Sequence, residues 1–205
     1  MHSDTIFRVL LILCGVALLS IRVYYQSKII PDQPKTTVTG RGWRLIPGAL
    51  AALTSVVFSG AYIFFPSAFP WSYGSYPGWL RWCGAIVLGA GILLLWAAHH
   101  HLSASFHSFV VRKPGQALIE SGPYRTVRHP IYTAFMLTYL GGGLLASSLV
   151  LTFVAGPLFA LFVALRIDEE EETMLVQFGA RYREYMERTG RFVPPLRLRQ
   201  WLGRR

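Results

Sequence analysis

Residues 131–165 read "IYTAFMLTYLGGGLLASSLVLTFVAGPLFALFVAL", thirty-five positions without a charged side chain. A spanning helix needs about 20 mostly apolar residues, so this run is too long for one span and just enough for two short ones. Its natural midpoint is "GGGLLASS", residues 141–148. Small residues there, Gly141, Gly142, Gly143 and Ala146, let packed helices approach closely. The run predicts a tight helical hairpin.

Working outward, three more apolar runs precede it, at about 6–25, 45–65 and 80–98. Residues 26–44 form a polar loop broken by Pro31, Pro34, Gly40 and Gly42. Residues 66–79, "PSAFPWSYGSYPGW", are uncharged, and Trp71, Tyr73, Tyr76 and Trp79 suit the aromatic belt of a membrane interface. After Arg166 the composition switches to an acidic run and then to Met174, Leu175, Phe178, Tyr182, Tyr185 and Met186 at three- and four-residue intervals. That spacing marks an amphipathic helix. The expected fold is all-α and polytopic, with five transmembrane helices, a hairpin for the last two and a cytoplasmic C-terminal amphipathic helix. Residues 1–101 form an N-terminal three-span region and 102–205 the remainder, as one structural unit.

Composition agrees. The chain is 53% hydrophobic and only 15% charged, where soluble domains carry about 25% charge. The net charge is +10, and 18 of the 20 Lys and Arg residues fall in 22–44, 99–130 and 166–205. The loops at 66–78 and 141–150 have none. This asymmetry follows the positive-inside rule, so the basic charge reports topology and requires no nucleic acid. It places the N-terminus outside and the C-terminus in the cytoplasm, with the tail "RLRQWLGRR" able to rest on anionic lipid. Cys14 and Cys83 lie in apolar runs and read as small packing residues.

The chemistry-bearing residues gather near the hairpin. In "SGPYRTVRHPIYTA", residues 121–134, Pro130 suits a first helical position and puts His129 at the N-cap. The helix dipole there opposes protonation of His129 and favours an anionic or electron-rich ligand. Arg166 and Glu170 are four apart and share a helix face. Four consecutive glutamates, 169–172, encircle a helix, so at least one faces the bundle. The bland alternatives are an interfacial collar of Arg and Tyr, and a solvated acidic turn. His99, His100 and His101 point about 100° apart on a helix, and converge on a metal only with partners such as His107 or His129.

The stretch "QALIESGPYRTVRHPIYTA", residues 116–134, together with Arg166, "EEEE" at 169–172 and "FGARYREY" at 178–185, resembles the isoprenylcysteine carboxyl methyltransferase family. That family comprises integral-membrane, S-adenosylmethionine-dependent enzymes related to phospholipid methyltransferases. The resemblance covers about residues 102–195. It implies a cofactor wall from Gln116, Ala117, Leu118 and Ile119, with Tyr124, His129, Pro130, Ile131 and Tyr132, and with Glu170 also at the cofactor. It implies that Arg166 faces the methyl acceptor, a carboxylate of the isoprenylcysteine type presented by a lipid-like or prenylated molecule. Phospholipid amine and thiol acceptors stay open, and they would need a base, for which Glu170, Glu171 and His129 are candidates. Three positions depart from the family pattern: Gln116 replaces its leading histidine, Ala134 a glycine, and "SFHSFVVR" lacks an upstream glutamine. Two other readings are a metal- or haem-binding membrane protein built on the histidines, and a steroid-reductase-like membrane reductase. The expected location is a bacterial inner membrane or the endoplasmic reticulum membrane.

Overall fold

The structure is a computed structural model that describes residues 2–27, 42–104 and 118–195. Gln116, Ala117, His107 and the basic tail lie outside the described residues. Seven α-helices are described: α1 (His2–Ser27), α2 (Ile46–Phe64), α3 (Gly78–Ala104), α4 (Pro130–Leu145), α5 (Gly156–Ala164), α6 (Ile167–Phe178) and α7 (Ala180–Arg188). Among the described residues there is no β-strand. The expected all-α polytopic architecture is the one found.

Four segments are long and apolar enough to cross a membrane: Asp4–Ser27, Gly42–Phe64, Gly78–Leu102 and Leu151–Phe178. The fifth apolar helix, α4, has 16 residues, about 24 Å, short of the roughly 30 Å hydrocarbon core. Against the expected five spans, the described residues give four helical segments of spanning length and one shorter apolar helix. Pro130 fixes where α4 starts, and the small-residue turn fixes where it ends. At that turn Ser147 takes φ 52°, and the Ser148 N–H reaches back to the Gly143 carbonyl at 2.9 Å. The return limb opens with a π-helical turn, Leu151–Ala155, next to Pro157, which has no N–H to give to the preceding turn.

The small residues act mainly between α3 and α4, more than within the hairpin. A Cβ on Gly84 would lie 2.6 Å from the Leu145 backbone nitrogen, and one on Gly141 would strike the Leu88 backbone nitrogen. Within the hairpin, Gly143 meets the opposite limb closely, at Thr152, and Gly156 makes ordinary contact with Tyr139. Phe7, Leu11, Tyr62, Leu88, Leu145 and Leu151 form the core at one end of the bundle. Leu13, Val16 and Leu19 of α1, Val56 of α2, and Ile86 and Leu93 of α3 point outward and exposed. Helices so apolar on the outside as well are matched to lipid as their solvent. Trp71 and Trp79, each 67% exposed, cap this surface.

At the same end, Arg81 is 8% exposed. Its Nε donates to the Leu145 carbonyl at 3.0 Å, Nη1 to Asp4 Oδ1 at 2.6 Å and Nη2 to the Tyr62 hydroxyl at 2.5 Å. The guanidinium also lies over the Phe7 ring, 3.9 Å from its centroid. One side chain thus joins α1, α2, α3 and the end of α4, and satisfies a carbonyl that the helix terminus leaves open.

Candidate functional site

The candidate site assembles at the opposite end of α4. A tight turn, Gly122–Arg125, carries Tyr124 into the cluster of Ala98, Leu102 and Ile119, with Ile131 against it. Leu118 and Ile119 diverge, as neighbours in extended chain do. Ile119 joins that cluster, whereas Leu118 packs on Tyr182 and Tyr185 of α7. Met174, Leu175, Phe178 and Met186 surround the latter group, so the expected amphipathic stripe is the buried one. It runs over two helices, because Gly179 takes φ 56° and breaks the stretch between α6 and α7. Glu120 binds Arg181 at 3.1 Å and also Arg188. Burial pushes the Glu120 carboxyl up, and the hydrogen bonds from these two arginines outweigh it and hold it below the usual range.

Residues 126–129 are stitched to a strap formed by residues 189–192. The Arg128 N–H donates to the Gly190 carbonyl at 2.8 Å, the His129 N–H to Arg191 at 3.1 Å, and the Gly190 N–H returns to Thr126 at 3.0 Å. A side chain at Gly190 would collide with the Val193 carbonyl. His129 is the N-cap of α4 and Pro130 occupies the first turn, as expected. The residue before a proline is kept out of the helical region, so His129 stays outside the helix and α4 starts at Pro130.

Two carboxylates on α6 organise the polar groups. Glu171, 3% exposed, accepts from Arg128 Nε at 2.9 Å and from Arg191 Nη2 at 2.6 Å, and its Oε1 lies 3.2 Å from His129 Nε2. Arg191 Nη2 is also 2.9 Å from Asp168. Arg128 Nη1 finishes on the carbonyls of Met186 and Thr189 at 3.1 and 2.5 Å. Burial lowers the His129 pKa, and Glu171 and Glu170 pull against it without reversing it.

Glu170 turns the other way. The Tyr132 hydroxyl donates to its Oε1 at 2.6 Å, and Arg166 Nη2 lies 3.3 Å from the same oxygen. Arg166 sits over the Phe162 ring at 5.3 Å. Tyr132 stacks on His129 with centroids 5.9 Å apart, and meets Phe159 and Phe162 edge-on. Glu169 binds Arg44 at 2.6 Å and ties α6 to the start of α2. Glu172 stays exposed.

The structure therefore brings together His129, Pro130, Tyr132, Arg166 and Glu170. Leu118, Ile119, Tyr124 and Ile131 lie in the adjoining apolar clusters. Sequence reasoning missed Arg128, Arg191, Arg44 and the buried role of Glu171. The histidines at 99–101 do not converge: His99 Nδ1 meets the Leu95 carbonyl at 2.9 Å, His100 stacks on Trp96, and His101 Nδ1 lies 3.3 Å from the Ser121 hydroxyl. Among the described residues, no group of three His, Cys, Asp or Glu is placed to hold a metal ion.

Known proteins resemble this chain in sequence and in fold. Residues 82–176 match the model of the isoprenylcysteine carboxyl methyltransferase (ICMT) family. The chain is 34% identical over 90 residues to the cobalt-zinc-cadmium resistance protein CzcN of Cupriavidus metallidurans, covering 44% of this chain and 41% of CzcN. It is 30% identical over 83 residues to protein-S-isoprenylcysteine O-methyltransferase of Schizosaccharomyces pombe, covering 40% of this chain and 35% of that protein. These matches span about two-fifths of the curated relatives' length. The structure of the eukaryotic intramembrane Ras methyltransferase ICMT superposes with a TM-score of 0.55 at 20% identity, over 90% of this chain and 67% of that one. The chain thus carries the sequence pattern of the isoprenylcysteine carboxyl methyltransferase family over residues 82–176, on the polytopic helical fold of the eukaryotic ICMT.

Proposed function

We propose that this integral membrane protein is an S-adenosylmethionine-dependent methyltransferase for an amphiphilic acceptor, a carboxylate of the isoprenylcysteine type. The observation that carries the proposal is the convergence of Tyr132 and Arg166 on one oxygen of Glu170, beside His129, on the motif residues themselves. This places a carboxylate, an arginine fork and an aromatic face next to one another at the level where α5 gives way to α6.

The residues present fit the cofactor. Glu170 supplies an acceptor for ammonium or ribose hydroxyl groups, and the first N–H groups of α4 are donors without intrahelical partners. Ile119 and Tyr124 share one apolar cluster with Ile131, which would pack against a base, while Leu118 faces α7. When bound, S-adenosylmethionine supplies a methyl group already activated on a sulfonium. Arg166 would orient an acceptor carboxylate, which is ionised at neutral pH and needs no general base. The surrounding Tyr132, Phe159, Phe162 and Phe192 would keep water away and strengthen the attraction between opposite charges.

The charge distribution supports a cytoplasmic position for this end. Arg8 and Arg81, the two basic residues outside the three basic segments, belong to the opposite end, where Arg81 binds Asp4. The membrane is the bacterial inner membrane or the endoplasmic reticulum membrane. Methyl transfer from labelled S-adenosylmethionine to an N-acylated S-prenylcysteine by the detergent-purified protein tests the proposal. Label in a base-labile ester is expected. Label only in lipid amine would move the acceptor class, and cofactor binding with no transfer to either would contradict the acceptor.

A further inference from the structure

The motif residues account for Glu170 and His129, but not for the buried acid next to them or for the strap that covers it. Glu171 and Ile167 are four apart on α6 and both are 3% exposed, so the same helix face carries an apolar contact and then a carboxylate. A lone carboxylate so buried is costly. Here both of its oxygens are occupied, Oε1 by Arg128 and His129 and Oε2 by Arg191. An ionised carboxylate only accepts hydrogen bonds. Its contact with a neutral His129 therefore requires the proton on Nε2, which leaves Nδ1 as the acceptor of the ring.

Arg191 reaches this position because the strap is bound on its far side by backbone. Besides the hydrogen bonds at Gly190 and Arg191, the Thr133 hydroxyl donates to the Phe192 carbonyl at 2.7 Å, and the Phe192 ring lies 6.2 Å from the His129 ring. The strap lies beyond residue 176, where the match to the family model ends. The charged and titratable groups around His129 are Glu171 and Glu170 of α6, Arg128 of its own segment, Arg191 of the strap and Tyr132 of α4. Arg128 and Arg191 both draw on the charge of Glu171, so little of it is left to attract a proton onto His129.

We propose that Glu171 and Arg191 are positioning residues: Glu171 fixes the orientation and tautomer of His129, and Arg191 neutralises Glu171 so that the imidazole stays uncharged. A neutral imidazole suits a site for a sulfonium, which a second cation would repel. The value to the cofactor rests on the methyltransferase reading, whereas the state of the imidazole does not.

The test uses ¹⁵N-histidine NMR on the cofactor-free protein in detergent, comparing wild type with Arg191→Gln, Arg191→Lys and Glu171→Gln. Wild type is expected to show the Nε2–H tautomer. Arg191→Gln is expected to raise the His129 titration midpoint, because Glu171 keeps its charge and loses a partner. Glu171→Gln is expected to lower it, because two guanidinium groups are left without their anion. Arg191→Lys should fall between wild type and Arg191→Gln. Mere loosening of the fold would expose the ring in both charge-removing variants and move both midpoints upward, which would overturn the proposal, as would an Nδ1–H tautomer in wild type. S-adenosylmethionine affinity is measured in parallel, and a loss of about tenfold in Arg191→Gln at neutral pH is expected. If wild type binds no cofactor while the midpoints move in opposite directions, the methyltransferase reading fails and the positioning role stands.

Discussion

Tyr132, in the first turn of α4, donates its hydroxyl hydrogen bond to Glu170 of α6 at 2.6 Å, across 38 positions of chain. The bond joins the two halves of the family pattern, and through it Glu170 is the member of the acidic run that meets Tyr132. Arg166 shares the same carboxylate oxygen.

Removing the hydroxyl keeps the ring and its packing against Phe159 and Phe162. Tyr132→Phe is therefore expected to stay folded and to weaken S-adenosylmethionine binding about tenfold, the scale of one hydrogen bond to a charged group. Calorimetric titration of the variant in detergent, with a thermal melt beside it, reads both quantities.

On the proposed function, Arg166 meets the acceptor and Glu170 the cofactor. Arg166→Ala is expected to keep cofactor affinity within about threefold and to lose at least about a hundredfold in kcat/KM for a carboxylate acceptor. Glu170→Gln is expected to lose cofactor affinity. Equal losses of cofactor binding in both variants would remove the division of roles.

The pH dependence follows from two groups. The folded His129 imidazole sits below its ordinary value because it is buried, with Glu171 and Glu170 opposing. The folded state thus takes up a proton less readily than the unfolded one. Its stabilising contribution is complete above about pH 6.5 and is lost as pH falls through the folded value. Glu120, held down by Arg188 and Arg181 against its burial, adds a second loss below its unfolded value of about 4.3. Chemical-denaturant midpoints measured between about pH 2.5 and 8 should fall on the acid side in two steps, and His129→Gln should flatten the upper one.

Arg81 predicts a stability effect without a change in chemistry. Arg81→Ala leaves the Tyr62 hydroxyl and the Leu145 carbonyl without their partner and releases Asp4. A loss of about 2 kcal/mol or more is expected, with cofactor affinity unchanged in the fraction that remains folded. Thermal unfolding and calorimetry on the same preparation distinguish the two.

Much of this was legible because membrane spans and helix faces are periodic. The 35-residue apolar run gave the hairpin, and four-residue spacing gave the Arg166–Glu170 pair. The "RHP" triplet placed His129 at the start of α4. The acidic run could not be resolved further, since four glutamates cover every face and the rotation of α6 is set by Ile167 packing against Ala51, Phe159 and Val163. Arg191 was hidden for another reason: it reaches Glu171 through a strap that pairs backbone to backbone with residues 126–129, a long-range contact with no period. Gly179 split an expected single helix because its positive φ leaves no trace in the hydrophobic stripe.

The most direct measurement is calorimetric binding of S-adenosylmethionine to the purified protein, with Glu170→Gln and Tyr132→Phe beside wild type. Saturable one-site binding that weakens in both variants, with their melting temperatures close to wild type, is the expected result. A folded wild-type protein that gives no binding heat and no cofactor-dependent rise in melting temperature would contradict the account.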